Sequence, residues 1–276
     1  MLRITDARTG ETVEAVRARR GLTRVEAHVE RDDLSALRVL LVADVLARAL
    51  ELGGTPVVTV ADPPPGLRAR ADALGIRRAE GERGGAGPAL HVLVSAGGAP
   101  EDPAPGQSAA GRSARGETAP MNPTSTAPTS TAPAPADQDP EIPGPSDAGL
   151  DGARIEVAPV SGTADPSLLR MILLATPRRQ PLDLAAADLD GARETLGRWR
   201  KAVAGWATRP SRPVPEHVRQ ELRAAWEDDL DVPAVLEALR RVEHAEDVPD
   251  GARFETYAYA DRLLGLELTR DIGTQW

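Results

Sequence analysis

The stretch TRVEAHVERDDLSALRVLLVADVLARALELGGTPVVTV, residues 23–60, decides the fold of this chain. Residues 23–30 alternate apolar and polar side chains, which is the period of a strand with one buried face. Residues 56–60 form a short apolar run, which is typical of a buried strand in a parallel sheet. Two parallel strands need a crossover between them, and the segment that separates these runs is long enough to supply it as a helix.

That intervening segment carries the signals of an α-helix over 34–52. Its apolar residues recur at helical spacing, and Asp32 or Asp33 is suited to cap the helix at its start. The pair Gly53-Gly54 is suited to end it, because glycine tolerates the backbone that follows a last helical turn. The stretch therefore predicts a strand, a helix and a second strand in succession.

The same alternation continues beyond the second strand. A short helix is predicted at 67–74, ended by Gly75, and a third strand is predicted at 90–95. Strands and helices that alternate in this way indicate a doubly wound, Rossmann-like parallel sheet. We therefore assign residues 1–98 to a Rossmann-like α/β domain.

A stretch of low complexity follows this domain. Residues 99–150 contain 11 of the 25 prolines of the chain, set among alanine, serine, threonine and glycine. Such a segment has too little apolar surface to offset the entropy lost on ordering, so it is predicted to be a disordered linker. The linker separates the α/β domain from residues 151–276.

Residues 151–276 are predicted to form a mostly helical bundle domain. One further strand is predicted at 154–157. Apolar spacing and capping residues predict helices at 165–175, 189–206, 215–226, 233–243 and 254–266. The fold class is therefore α/β, with a Rossmann-like parallel sheet domain followed by an α-helical bundle.

The composition excludes several kinds of site. The chain has no cysteine, which rules out disulfides and thiolate metal ligands, and its only lysine is Lys201. The net charge of −9 works against binding to a polyanion without a local basic patch. The first 16 residues are charged throughout and contain no apolar run. We therefore expect no signal peptide, no membrane contact and a cytoplasmic location.

Four blocks along the chain carry a family resemblance. They read LRITDARTGE at 2–11, VADVLARALE at 42–51, RRQPLD at 178–183 and WEDDLDVP at 226–233. In this order they resemble blocks of the cysteinyl-tRNA synthetases and of the related cysteine ligase of mycothiol synthesis. The resemblance implies a class I aminoacyl-tRNA synthetase fold, ATP-dependent activation of cysteine, and a zinc ion held by cysteine and histidine ligands.

The chain departs from that family where the family handles ATP. The family's HIGH turn holds the ATP phosphates, whereas residues 33–36 read DLSA, whose aspartate repels phosphate. The family's KMSKS loop has no counterpart, because no lysine precedes Lys201. In the half that would hold the zinc, only His28, at the place of a ligand cysteine, and His91 remain. We interpret both as edge or surface histidines, since two histidines cannot complete a tetrahedral site. We therefore expect no catalytic residue, no cofactor and no bound metal.

A small ligand, if one binds, is expected at the carboxyl ends of the strands, near Asp33, Arg38 and Asp62. Arg38 stands just after the turn that corresponds to HIGH, where it either contacts an anion or lies on the polar face of its helix. Asp62 directly follows the second strand, where it either meets a ligand or shapes the turn before Pro63.

Three hypotheses for function follow. The leading one is a catalytically degenerate relative of cysteinyl-tRNA synthetase that acts as a binding or regulatory protein, with a tRNA or a protein as its partner. The second is an unorthodox ATP-dependent cysteine ligase, for a tRNA or an amino-sugar acceptor, in which arginines replace the HIGH and KMSKS residues. The third is a protein-interaction scaffold built on the helical bundle.

Overall fold

The computed structural model of the chain describes residues 1–15, 22–80, 89–95 and 152–274. The predicted linker at 99–150 lies outside these residues, so its predicted disorder stays a prediction. The parts that flank it, Met1–Pro100 and Leu150–Trp276, form one compact unit.

The centre of this unit is a sheet of four parallel strands, which confirms the predicted fold class. Its strands are β3, Thr23–Ala27, β4, Val57–Val60, β5, Ala89–Val94, and β6, Gly152–Val157. They lie in the order β4-β3-β5-β6, so β3, which comes first of the four in the sequence, lies inside the sheet. An antiparallel hairpin of β1, Arg3–Thr5, and β2, Thr12–Glu14, precedes the sheet and was not predicted.

The β5–β6 pair carries the sheet across the predicted boundary between the two parts of the chain. Every residue of β6 pairs with β5, from Gly152 opposite Ala89 to Val157 opposite Val94. Gly152 has φ 140°, and a Cβ atom there would lie 1.8 Å from the carbonyl oxygen of Ala89. Only glycine therefore permits the entry into this strand.

Helix α1, Leu34–Leu52, packs against all four strands and is the central element of the core. Its bounds agree with the prediction. Leu37, Leu41 and Leu46 are almost wholly buried on it, because the helix is covered by the sheet on one side and by other helices around it. The continuous apolar character of the helix follows from this position.

The remaining helices are α2, Pro65–Ala73, α3, Pro166–Ala175, α4, Leu189–Trp206, α5, Glu216–Glu227, α6, Val232–His244, and α7, Asp250–Leu264. Of these, α2 and α7 pack against α1, and α3 to α7 pack on one another. Helices α3 and α4 have the predicted bounds, whereas α7 begins one turn before the predicted start and ends two residues before the predicted end. No helix of the described residues is long and apolar enough to cross a membrane.

A short parallel pair between β6 and α4 was also missed. Strand β7, Val160–Ser161, pairs with β8, Leu182–Asp183, on either side of α3. Two-residue strands leave no periodic signal in a sequence. This pair matters for the site, because it lays residue 160 against the start of α1.

The helices are joined to α1 by a buried cluster of charges around Asp44. The Asp44 carboxylate is almost fully buried and accepts hydrogen bonds from Arg48 at 3.0 Å, Arg77 at 2.9 Å and Arg170 at 3.1 Å. Arg170, on α3, also donates to the backbone oxygens of Leu74 and Leu264. One carboxylate therefore links α1 to α3, to the end of α2 and to the end of α7.

The arginines also decide the protonation of this carboxylate. Burial alone raises the pKa of Asp44, but the nearby charges of Arg48 and Arg170 and the hydrogen bonds outweigh burial and hold the pKa below its ordinary value. The charged form of Asp44 therefore stabilises the fold above the pKa of an unfolded aspartate, about 3.9. That stability is lost as the pH falls through the lower pKa of the folded protein.

We expect Asp44→Asn to lower the free energy of unfolding at neutral pH by about 3–5 kcal/mol, because Arg170 keeps its buried charge and loses the carboxylate to which it is hydrogen-bonded. The difference from the wild type is expected to shrink as the pH drops below about 4. Urea unfolding across this pH range measures both effects. Asp72→Asn, which removes a partly exposed partner of Arg78, is the control. A difference that stays constant with pH would contradict the role given to Asp44.

Candidate functional site

The first turn of α1, where the resemblance places the ATP phosphates, is closed by the chain itself. Asp33 is the N-cap, and its side chain accepts a hydrogen bond from the backbone N–H of Ala36 at 2.8 Å. The Ser35 hydroxyl accepts from the N–H of Val160 at 3.0 Å and lies 3.4 Å from the carbonyl oxygen of the same residue. A helix N-terminus attracts anions through its free N–H groups. The Asp33 carboxylate occupies one of these groups and brings a negative charge that repels phosphate.

Arg38 donates hydrogen bonds to backbone carbonyl oxygens. Its Nη1 donates to the carbonyl oxygens of Ala158 at 3.0 Å and Gln180 at 2.8 Å. Its Nη2 donates to those of Thr176 at 3.2 Å and Pro177 at 2.8 Å. The guanidinium therefore holds the two ends of the 158–180 segment against α1.

The burial of Arg38 overturns one of its two predicted roles. Only 1% of the residue is exposed, so the expectation of a polar-face residue is wrong. Burial lowers the pKa of Arg38 to about 10, which still leaves the side chain charged at neutral pH. This role of Arg38 could not be predicted from the sequence, because the four acceptors are backbone oxygens.

A cleft of about 440 Å³ lies beside the first turn of α1. Its size falls in the range of small-molecule sites, ~300–1,000 Å³. Asp33 lies on its wall, and Arg70 of α2 is the one basic residue among those that line it. The lining residues are Asp33, Leu34, Leu37, Arg70, Ala73, Leu74, Val160, Ser161, Gly162, Thr163, Ala164, Pro166 and Leu169.

The charge of this cleft is nearly balanced. Arg70 forms an ion pair with Asp32, just outside the lining, and Asp33 carries a second negative charge. A nucleoside triphosphate brings several negative charges, which one paired arginine does not neutralise. The cleft is better matched to a neutral or zwitterionic molecule than to ATP.

The structure brings one of the three predicted ligand residues to this cleft. Asp33 lines it, whereas Arg38 is turned into the backbone between β6 and β8. Asp62 has 72% of its side chain exposed and lies 3.7 Å from Arg68 in a surface ion pair. Neither Arg38 nor Asp62 is among the described residues that line the cleft. That Asp33, Arg38 and Asp62 share one ligand site stays a prediction. The positions of Arg38 and Asp62 do not support it.

A second cluster of polar side chains lies on the sheet. Glu26 and His28 project from the same side of β3 and its end, and Glu26 is paired in register with His91 of β5. His28 Nε2 lies 3.0 Å from His91 Nδ1. The second carboxylate oxygen of Glu26 lies 3.4 Å from His91 Nδ1 and 3.9 Å from His28 Nε2.

This cluster corrects the interpretation of both histidines as surface residues. The side chain of His91 is 3% exposed and that of His28 is 17% exposed. Glu26 was missed, although it shares the polar phase of its strand with His28. The pairing of β3 with β5 brings the three residues together, and this register is not readable from one strand.

The comparisons with known proteins identify partial relatives, while no family model matches the chain. An "L-cysteine:1D-myo-inositol 2-amino-2-deoxy-alpha-D-glucopyranoside ligase" of Streptomyces griseus is 39% identical over 108 residues, which are 38% of this chain and 25% of the relative. The ligase of the same name from Streptosporangium roseum is 35% identical over 121 residues, which are 42% and 29% of the two chains. A "Cysteine--tRNA ligase" of Paracoccus denitrificans is 35% identical over 106 residues, which are 38% and 20%.

The matched region thus amounts to about a quarter of the length of the curated relatives. Over this part the chain is homologous to two kinds of cysteine ligase. The resemblance seen in the sequence is confirmed to that extent.

We expect Arg38→Met to lower the free energy of unfolding by about 3 kcal/mol or more, because up to four carbonyl oxygens lose a charged donor in a buried place. Arg68→Met, at an exposed arginine of α2, is expected to change it by less than about 0.5 kcal/mol. Urea denaturation followed by circular dichroism gives both values. Equal stability of the two variants would show that Arg38 does not hold the 158–180 segment.

Proposed function

We propose that this protein is a non-catalytic relative of the cysteine ligases that binds a small zwitterionic molecule, of the amino acid class, in the cleft beside α1. The observation that carries the proposal is the closure of the first turn of α1 by Asp33 and Ser35. A helix start occupied in this way is poorly suited to hold the phosphates on which adenylate formation depends.

The positive charges near this turn support the loss of catalysis. Arg38 is engaged by four carbonyl oxygens, and Arg70 is paired with Asp32. The chain has no lysine before Lys201, which is exposed on α4. Phosphoryl and adenylyl transfer depend on cations placed around the developing charge, and the described residues near α1 leave few cations for that task.

The composition of the cleft supports an amino acid as its ligand. Asp33 offers a carboxylate for an ammonium group. Arg70 is paired with Asp32, but a guanidinium has five N–H groups, so it can also donate to the single carboxylate of an amino acid. Leu34, Leu37 and Leu169 supply apolar wall for a side chain. The names of the relatives state that they act on cysteine, so L-cysteine is the first ligand to test.

ATP–pyrophosphate exchange tests the loss of catalysis. We expect no amino acid, cysteine included, to raise the exchange of labelled pyrophosphate into ATP above the level without protein. An active cysteine–tRNA ligase in the same buffer is the positive control. Exchange that depends on cysteine and on this protein would refute the proposal and would favour an ATP-dependent ligase in which arginines replace the usual residues.

A pair of tryptophan substitutions on α2 tests ligand binding in the cleft. Ala73 is exposed and lines the cleft, whereas Ala69 is exposed on the same helix and does not line it. We expect an amino acid at a concentration of about 100 times its Kd to stabilise the wild type and Ala69→Trp by about 2.7 kcal/mol, a shift of roughly 5–11 °C in Tm. Ala73→Trp fills the cleft and is expected to lose this shift.

Differential scanning fluorimetry with each of the common amino acids measures the effect. Two results would contradict the assignment of the cleft: no amino acid raises the Tm of the wild type, or Ala73→Trp keeps the full shift.

A further inference from the structure

We propose that Glu26, His28 and His91 form a binding site for one divalent transition metal ion, and zinc is the ion that we expect. The site lies on the sheet, at β3 and β5, and it shares no residue with the cleft beside α1. The metal site can therefore be tested independently of the proposed amino acid site.

The spacing of the three donor atoms fits a single ion. The Nε2 of His28, the Nδ1 of His91 and a carboxylate oxygen of Glu26 all lie within 4.8 Å of one another, with separations of 3.0, 3.4 and 3.9 Å. Zinc bonds of about 2.0–2.1 Å in a tetrahedron place neighbouring donors roughly 3.3 Å apart. The observed separations scatter around that value, so an ion fits among the donors with shifts of a few tenths of an ångström.

The kinds of donor also suit such an ion. Two imidazole nitrogens and one carboxylate oxygen form a recurrent set for zinc and for iron(II), with an open coordination position for water or another ligand. The chain has no cysteine, so the set of Glu26, His28 and His91 contains no sulfur.

The surroundings hold the carboxylate in position. Arg24 Nε lies 2.6 Å from one oxygen of Glu26, and the other oxygen points to the histidines. Arg154 is the register partner of His91 on β6, and its Nε lies 3.6 Å from the carboxylate of Glu156. Arg24 and Arg154 thus each form an ion pair with a glutamate. Because their positive charges are compensated, they do not repel an incoming cation.

Glu26 and His91 lie on paired strands, and His28 directly follows β3, where its backbone N–H donates to the carbonyl oxygen of Val92 at 2.8 Å. Ligands held in this way are more rigid than ligands on free loops.

The alternative is a cluster held by hydrogen bonds alone. At 3.0 Å, one of the two facing ring nitrogens donates a hydrogen bond to the other. A metal ion replaces this contact by two coordinate bonds, and the ring protons move to the nitrogens that face away from the ion. The two arrangements differ in metal content and in the stability gained from metal.

The test uses zinc alone and untagged full-length protein. The protein is stripped with a chelator, dialysed against a slight excess of zinc and then against buffer, and its metal content is measured by plasma mass spectrometry. We expect about one zinc ion per chain and a zinc-dependent rise in Tm. His28→Gln and Glu26→Gln are expected to bind zinc at least roughly tenfold more weakly.

Two further variants serve as controls. His217 and His244 are exposed on α5 and α6, away from the sheet, so His217→Gln and His244→Gln are expected to keep the zinc content and the rise in Tm. His28 is partly exposed, so His28→Gln is expected to fold without metal, which circular dichroism of the stripped protein verifies. Cobalt(II) substitution adds a direct readout, since a four-coordinate site gives strong visible absorption.

The proposal is overturned if the wild type retains no more zinc than His28→Gln, or if zinc binds without raising the Tm. Loss of zinc from His217→Gln as well would likewise assign the binding to another place. None of these measurements uses an amino acid or ATP. Their outcome therefore neither supports nor contradicts the proposed amino acid binding in the cleft.

Discussion

The buried guanidinium of Arg38 is the constraint on which the rest of this structure depends. It sits one turn into α1 and donates to four carbonyl oxygens of the 158–180 segment. Carbonyl groups buried without a donor are costly, so this segment can close over α1 only while the arginine holds it. The segment contains β7, whose Val160 meets Ser35, and it contains α3, whose Arg170 reaches Asp44. The start of α1 is therefore shaped by the segment that lies upon it.

We propose that the same contacts leave this homologue of cysteine ligases without their chemistry. In an enzyme that binds ATP at a helix start, N–H groups and cations are kept available for phosphate. In this chain the Asp33 carboxylate accepts from one N–H of the helix start, the Ser35 hydroxyl is engaged by the N–H of Val160, and Arg38 is bound to backbone oxygens. The cleft beside them is mostly apolar with one acidic and one basic residue, which suits a small zwitterion. The relationship to the ligases is shown over a part of their length, and the role that we propose for this chain is binding.

Much of the fold was predictable from the sequence, because long periodic segments carry strong signals. Helix α1 and helices α3 and α4 have the predicted bounds, and Asp33, one of the two predicted candidates, caps α1. The two-residue strands β7 and β8 were not predictable, since they have no period. The sites were harder still. Arg38 binds carbonyl oxygens, which every sequence has, and the cluster of Glu26, His28 and His91 depends on which strands pair and in which register. Such arrangements arise from tertiary structure and leave no local pattern.

The central claim is that the start of α1 is occupied by the protein's own groups and does not hold a nucleotide. Isothermal titration of the full chain with Mg·ATP tests this most directly, because it measures binding whether or not any reaction follows. The account predicts no saturable heat with ATP up to millimolar concentration. A saturable isotherm with a Kd in the micromolar range would contradict it.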